Sequence, residues 1–383
     1  MPDEQPPYPG GGWSWRSGEL MHNVASSLRG ENLSIAAFLE QPAQWKNSVL
    51  GVICFSSTEA VENPLQEGMG IPCLRVSMQR LDADDSICEV WHGSGQITQG
   101  QCGAIHYRHD DDVLFGEIVL PESMFEAGAD TGIDTNKTPL QQATESAYHQ
   151  VFTLLGTLHY PYLFRFWNYI ADINAHSFGL ERYRQFNLGR QDAFLAHGRE
   201  VVGNVPAACA LGFGRRGSAQ GPLTIAFLAG RVVPLSIENP RQISAYQYPR
   251  QYGPSSPTFS RASLVRLGQN ELLFVSGTAS IVGHATLHSN DVVAQTRETM
   301  ANIKAVLAEA NRLNHLASQP RFDLGDLHYK VYVRHPADMA QIRAELARCV
   351  GCVDNTLKAV YLQADPCRQD LLLEIEATAA FAG

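Results

Sequence analysis

Two stretches of this chain carry the same grammar of apolar and polar positions. The first opens on the near-continuous apolar run Val113-Leu-Phe-Gly-Glu-Ile-Val-Leu120, which predicts a strand. A loop then leads to a helix starting near Thr138-Pro139, where proline suits the first turn because its missing N–H has no helical partner to lose. Tyr148, Val151, Leu154, Leu155 and Leu158 recur at helical spacing and give that helix its apolar stripe. A further strand is predicted over 162–170.

The second stretch repeats the order. A strand over 271–276 is followed by the loop Gly277-Thr-Ala-Ser-Ile-Val-Gly-His284 and a helix over about 291–313, with Asp291 as its N-cap. Its stripe is Met300, Ile303, Val306, Leu307 and Ala310, and a strand over 328–334 comes next. Pro336 then precedes a second helix of roughly 337–348, and the chain closes on a strand over 370–376.

Strand, helix, strand thus occurs twice, about 150 residues apart, which reads as a duplication. The expected fold is α/β (α+β): two domains, each a mixed sheet covered on one face by helices. Glycine and proline thicken near 190–220, and the divide is placed there. The expected organisation is a flexible tail over 1–20, an N-terminal domain over 21–200 and a C-terminal domain over 201–383. Duplication by itself carries no chemistry.

Composition narrows the function classes. The chain has 383 residues, 44% of them hydrophobic and 9% aromatic, as in globular domains with cores of their own. Net charge is −10 with no Lys/Arg block, which argues against a nucleic-acid partner. No apolar run approaches a membrane span of ~18 residues. The opening MPDEQPPYPGGGWSW is acidic and rich in Pro and Gly, unlike a secretory signal, so a cytoplasmic location is expected. Only five of the 29 basic residues are lysines (Lys46, Lys137, Lys304, Lys330, Lys358), and forked guanidinium groups suit carboxylate ligands. The eight cysteines are scattered and expected as free thiols. The lone C-x-x-C, Cys349 to Cys352, reads as small residues ending a helix or as a redox or zinc pair. Gly212-Phe-Gly214 lacks the strand-turn-helix context of a phosphate cradle, so no nucleotide cofactor is expected.

The segments Val275-Ser-Gly-Thr-Ala279, 291–307 and Leu373-Glu-Ile-Glu-Ala377 resemble the RidA (YjgF) fold family, whose α/β arrangement is of the bacillus chorismate mutase-like type. From about residue 30 to the end, the chain resembles the chorismatases, which are built from two RidA-like halves. Three segments carry the narrower resemblance: 160–169, Glu181-Arg-Tyr-Arg-Gln-Phe186, and Tyr246-Gln-Tyr-Pro-Arg-Gln-Tyr-Gly253. The resemblance implies a cofactor-free enzyme that converts chorismate to pyruvate and either a dihydrodiol acid or a hydroxybenzoate. Hydroxybenzoate supply for quinone or pigment synthesis would be its natural setting. Single-domain relatives form trimers, so a homo-oligomer is allowed.

Cleaving the enol ether of chorismate needs a proton on its terminal methylene carbon, a task for a carboxylic acid whose burial keeps it protonated. Glu374 and Glu376 lie two apart on the last strand and so share one face. Such a pair also suits a solvated edge strand. The resemblance places Glu374 at the family's catalytic acid. For the substrate's carboxylates, Arg184 and Arg250 stand in family motifs, with Tyr183 beside the first and Arg334 as a weaker third clamp. Tyr246, Tyr248 and Tyr252, around Pro249, read equally as hydrogen-bonding hydroxyls or as packed aromatics. Cys367, a small apolar filler in most settings, occupies the position that directs the ring to an aromatic product in the hydroxybenzoate makers. Ala279 resembles the hydrolytic branch instead, and this mixture implies a branch yielding both 3- and 4-hydroxybenzoate. His284 and His288 lack a third ligand at zinc spacing, and no metal is expected.

Two other readings stand beside this one. A RidA-type imine deaminase relies on an arginine before the penultimate strand, where this chain has Asn355-Thr-Leu-Lys-Ala359 and Lys358. A metabolite-binding module would use the same pocket without turnover.

Overall fold

The computed structural model describes residues 28–57, 70–126, 136–214, 221–314, 322–353 and 356–381. The expected tail over 1–20 lies outside them. Three sheets carry the fold. The small one contains β1 (Arg29–Ser34), β2 (Val49–Phe55), β3 (Cys73–Val76) and β4 (Ile87–His92), in the order β1-β4-β2-β3. The first large sheet contains β5 (Thr98–Cys102), β6 (Ile105–His109), β7 (Val113–Leu120) and β8 (Tyr162–Ala171). After a short hairpin, β9 (His176–Ser177) and β10 (Leu180–Glu181), it is completed by β11 (Ala207–Phe213) and β12 (Leu223–Gly230). The second large sheet contains β13 (Leu235–Ile237), β14 (Ala262–Leu267) and β15 (Asn270–Thr278). A small hairpin follows, β16 (Ile281–Val282) and β17 (Ala285–Thr286), before β18 (His328–Val333), β19 (Ala359–Gln363) and β20 (Leu373–Phe381) join that second sheet.

The duplication is legible in the strand orders, β5-β6-β7-β12-β8-β11 and β13-β14-β15-β20-β18-β19. Both begin with two antiparallel hairpin steps and end in one parallel pair, β8 with β11 and β18 with β19. The helix Pro139–Leu158 corresponds to Val292–Leu313, and Arg182–Ala196 to Met339–Val350. Thr138 and Asp291 cap the two long helices by accepting from the backbone N–H of Gln141 and Ala294.

Three expectations change. Strands β11 and β12 pair with β8, so the chain passes from one large sheet to the other between Gly230 and Leu235, not at 200/201. The Gly/Pro-rich stretch after Ala196 joins a helix to β11, the edge strand of the same sheet, which is why it marks no boundary. The residues before 98 also form a sheet of their own instead of extending the first domain. Cys54 and Cys88, directly opposed in the β2–β4 register with Cα atoms 4.2 Å apart, form a disulfide, while the other six cysteines are free.

Each large sheet buries one face under its two helices, in separate apolar clusters. Their other faces meet each other and the small sheet in a third, shared core. Trp91 of β4 sits at that junction, its ring 5.7 Å from Trp167 of the first large sheet and 5.6 Å from Phe274 of the second. Among the described residues no helix is long and apolar enough to cross a membrane.

Trp91→Ala should therefore loosen all three sheets together. The expected cost is about 3–5 kcal/mol, the range for truncating a buried aromatic, seen as one cooperative transition at lower denaturant. A loss confined to residues of the small sheet, read by hydrogen exchange, would contradict a shared core.

Candidate active site

The second large sheet places two carboxylates in the protein interior. Strand β20 runs between β15 and β18, so Glu374 and Glu376 are 3% and 4% exposed instead of lying on a solvated edge. The β15–β20 register slips between Val275 and Thr278, where β15 carries one residue more than its partner. Such a bulge re-aims the side chains around it. Here it brings Gly277 against Glu374: a Cβ on Gly277 would lie 1.9 Å from Glu374 Oε1 and 3.2 Å from Cys209 Cβ. Only glycine leaves room for this carboxyl.

The two glutamates have opposite surroundings. Glu376 accepts hydrogen bonds from Lys330 Nζ at 2.5 Å, Tyr332 Oη at 3.1 Å and Trp167 Nε1 at 3.2 Å, and from Arg165 Nη2. Burial opposes its ionisation, but Lys330 and Arg165 outweigh that and hold the carboxyl down at about 2. The Glu374 carboxyl makes no hydrogen bond or ion pair among the described residues and lines a cavity of about 380 Å³. Burial, and then the charge of Glu376, push its carboxyl up to about 8 against the pull of Arg165. A protonated acid thus faces the cavity at neutral pH, beside a fixed anion that does not.

The cavity lies between the two large sheets. Of the residues expected in a site, Glu374, Cys367, Tyr183, Arg184, Tyr248, Tyr252 and Ala279 all line it. Tyr183 and Arg184 come from the first turn of the helix Arg182–Ala196, Tyr248 and Tyr252 from the turn before β14, and Cys367 from the loop before β20. Burial pushes the Cys367 thiol up to about 12 and raises Tyr183 as well, so both face the cavity neutral. Arg184, whose Nε donates to Glu181 at 3.0 Å, also lines the cavity.

Three expected residues fall outside that lining. Tyr246 and Arg250 lie on the same turn as Tyr248 but do not reach the cavity, and Arg250 is exposed. The turn is two short 3₁₀ segments, Ala245–Gln247 and Arg250–Tyr252, which direct neighbouring side chains in different directions. Arg334 is buried and committed elsewhere: it donates to the carbonyls of Leu371, Pro366 and Arg368 and to Asp365, fixing the loop that carries Cys367.

Two arginines that sequence reasoning passed over take their place. Arg261, 4% exposed, donates through Nη2 to Ile243 O and to the Tyr248 hydroxyl at 2.9 Å, and its Nε has no partner among the described residues. Arg368 lies over the Tyr252 ring at 4.1 Å and donates to His284 O. Arg368 stands directly after Cys367, which was a usable signal; Arg261 immediately precedes β14 with no motif around it. His284 accepts or donates to the Tyr252 hydroxyl at 3.0 Å, and His288 pairs with Glu298. Lys358, at the deaminase position, lines a different cleft. The arrangement can donate one proton from an apolar-walled cavity (Phe259, Ile281, Leu371) to a ligand whose negative groups meet Arg184, Arg261 and Arg368.

Residues 89–229 match the model of the N-terminal part of FkbO/Hyg5-like chorismatases, and residues 255–381 the model described as endoribonuclease L-PSP. A chorismatase from Streptomyces rapamycinicus is 37% identical over 303 residues, 78% of this chain and 83% of its own length. The chain belongs to the chorismatase family. A 3-hydroxybenzoate synthase from Streptomyces hygroscopicus is 36% identical, covering 86% of this chain and 91% of that protein. The crystal structure of a chorismatase superposes with a TM-score of 0.75 at 30% identity, over 93% of this chain and 99% of that one. This chorismatase family member is accordingly an enzyme with the mixed α/β fold of its relatives, its second large sheet lying within the L-PSP match except for β13.

Gly277→Ala should force the Glu374 carboxyl aside. A displacement of that order costs about 10²-fold in turnover, with little change in the thermal transition because only the carboxyl end has to move. Unchanged turnover would show that Glu374 need not sit where Gly277 lets it.

Proposed function

We propose that this enzyme cleaves chorismate to pyruvate and a hydroxybenzoate, with Glu374 as the proton donor. The observation that carries this reading is Glu374 itself: a protonated, unpartnered carboxyl facing a cavity rimmed by arginines. Proton transfer to the terminal methylene turns it into the methyl group of pyruvate. The bond between the ring and the ether oxygen then breaks, its electron pair staying on the oxygen that becomes the pyruvate keto group. The ring loses one proton as it becomes aromatic, which restores Glu374, and no water is consumed.

Arg261 and Arg368, with Arg184 at the mouth, are the carboxylate clamps in this reading, since forked donors suit a dianionic ligand. Tyr183, Tyr248 and Tyr252 offer hydroxyls to the ring. Cys367, as a neutral thiol beside Tyr183, is suited to steering the ring intermediate without attacking it. The likeness to a 3-hydroxybenzoate synthase supports an aromatic product, and Ala279 in the wall supports a share of 4-hydroxybenzoate over a single outcome.

Glu374→Gln should abolish pyruvate release, measured with chorismate and a lactate dehydrogenase couple, while leaving binding nearly intact. General acids contribute ~10²–10⁴-fold, so retention of a tenth of parental activity would sink the assignment. In the parent, kcat/KM should fall as pH rises past about 8, because the donor is the protonated form.

The clamps are separable by position. Arg261→Ala should weaken chorismate binding by about 2 kcal/mol or more, the scale of a lost buried charge pair. Arg250→Ala, exposed and outside the cavity, should bind and turn over like the parent. Equal effects from both would place the carboxylates elsewhere.

A further inference from the structure

The charges behind Glu374 come from all three sheets. Glu376 and Lys330 belong to the second large sheet and Arg165 to the first. Lys330 also pairs with Glu89 on β4 of the small sheet, and Glu89 accepts from Trp91 Nε1 at 3.1 Å. Glu89 does not line the Glu374 cavity. It opens on another cleft, of about 230 Å³, between the small sheet and the second large sheet, with Lys330 and Glu376 in the same wall. Glu374 and Glu376 share one face of β20, Glu374 lining the first cavity and Glu376 the second, further along the strand.

Counting charges gives two cations, Arg165 and Lys330, and two anions, Glu89 and Glu376. The core is balanced before Glu374 is considered, and an ionised Glu374 would be a third carboxylate against two cations. Burial holds neutral Tyr183 and Cys367 across the cavity, Tyr169 and Cys209 from the first large sheet, and Tyr332 from the second. The cavity wall also carries Arg184, paired with Glu181, and Arg261, Arg368, Asp370 and His176, none of which is changed in the variants below. On the cleft side of Glu89 stand Glu31, Asp326, His328 and Lys358, with Glu31 already paired to Arg29 and His92.

We propose that Glu89 is a positioning residue of the reaction: by balancing Lys330 it leaves no net positive charge in the core to draw the proton from Glu374. The inference rests on Glu374 as the proton donor. It gives the small sheet, which contributes nothing to the cavity wall, a part in the chemistry.

The test is the pH profile of kcat/KM for pyruvate release. Glu89→Gln leaves two cations against one anion, so Glu374 ionises more readily and the alkaline limb should move down by about one pH unit, the scale of one nearby charge. Adding Lys330→Met to that variant restores one cation against one anion, and the limb should return to its parental position. Lys330→Met alone leaves two anions against one cation and should move it up, so either single variant decides if the other does not fold. A merely structural Glu89 would lower the rate at every pH without moving the limb, and the double variant would be worse; that result overturns the proposal. An alkaline limb missing from the parent would count instead against Glu374 as donor. A limb present in the parent but unmoved in Glu89→Gln counts against Glu89 alone.

Discussion

The structure depends on one buried anion. Glu376 lies where three sheets converge, and taking a carboxylate out of water costs several kcal/mol unless donors surround it. Here Lys330, Arg165, Trp167 and Tyr332 all point at it. No single sheet could supply that set: Arg165 and Trp167 belong to β8, Lys330 and Tyr332 to β18, and Lys330 is in turn neutralised by Glu89 from β4. The charge cluster and the apolar core around Trp91 therefore require the same packing. Misdocking any sheet would strand a buried charge, so the cluster selects one arrangement of the three.

Burial, reinforced by the same anion, keeps the neighbouring carboxyl protonated. A carboxyl buried alone rises only through desolvation; one buried two residues from a fixed negative charge rises further. Lys330 and Arg165 are bound to Glu376, and the pull of Arg165 on Glu374 does not offset burial and the neighbouring charge. The bulge at Ser276–Gly277 adds the steric half of the arrangement by clearing space for the carboxyl. Proton, position and apolar surroundings thus come from three separate devices acting on one side chain.

The duplication repeats the fold but, among the described residues, not the acid. In the first large sheet the pairing of β8 with β12 sets Thr224 opposite Tyr169, as the pairing of β18 with β20 sets Glu374 opposite Tyr332. The fold repeats, but the carboxyl does not. The first sheet instead lends Tyr183, Arg184 and the buried Arg165 to the site of the second.

The sequence by itself determined the local elements, because periodicity is a local property: β7 and the starts of both long helices, with Asp291 as a cap, lie where the pattern put them. The last strand is there too, but runs from Leu373 to Phe381 instead of ending at 376. Motif resemblance also reached Glu374, Cys367, Tyr183, Arg184, Tyr248, Tyr252 and Ala279, which the fold gathers in one cavity. What only the tertiary structure decided is partnership. Arg334 directly follows β18 yet gives its donors to a loop, and Arg261 has no motif yet lies buried in the wall. An arginine's use depends on which acceptors lie within reach, and those come from segments far apart in the chain. The same holds for Cys54 and Cys88, 34 residues apart and joined by strand register, and for Glu89 and Lys330, separated by 241 residues and paired only because two sheets share a core.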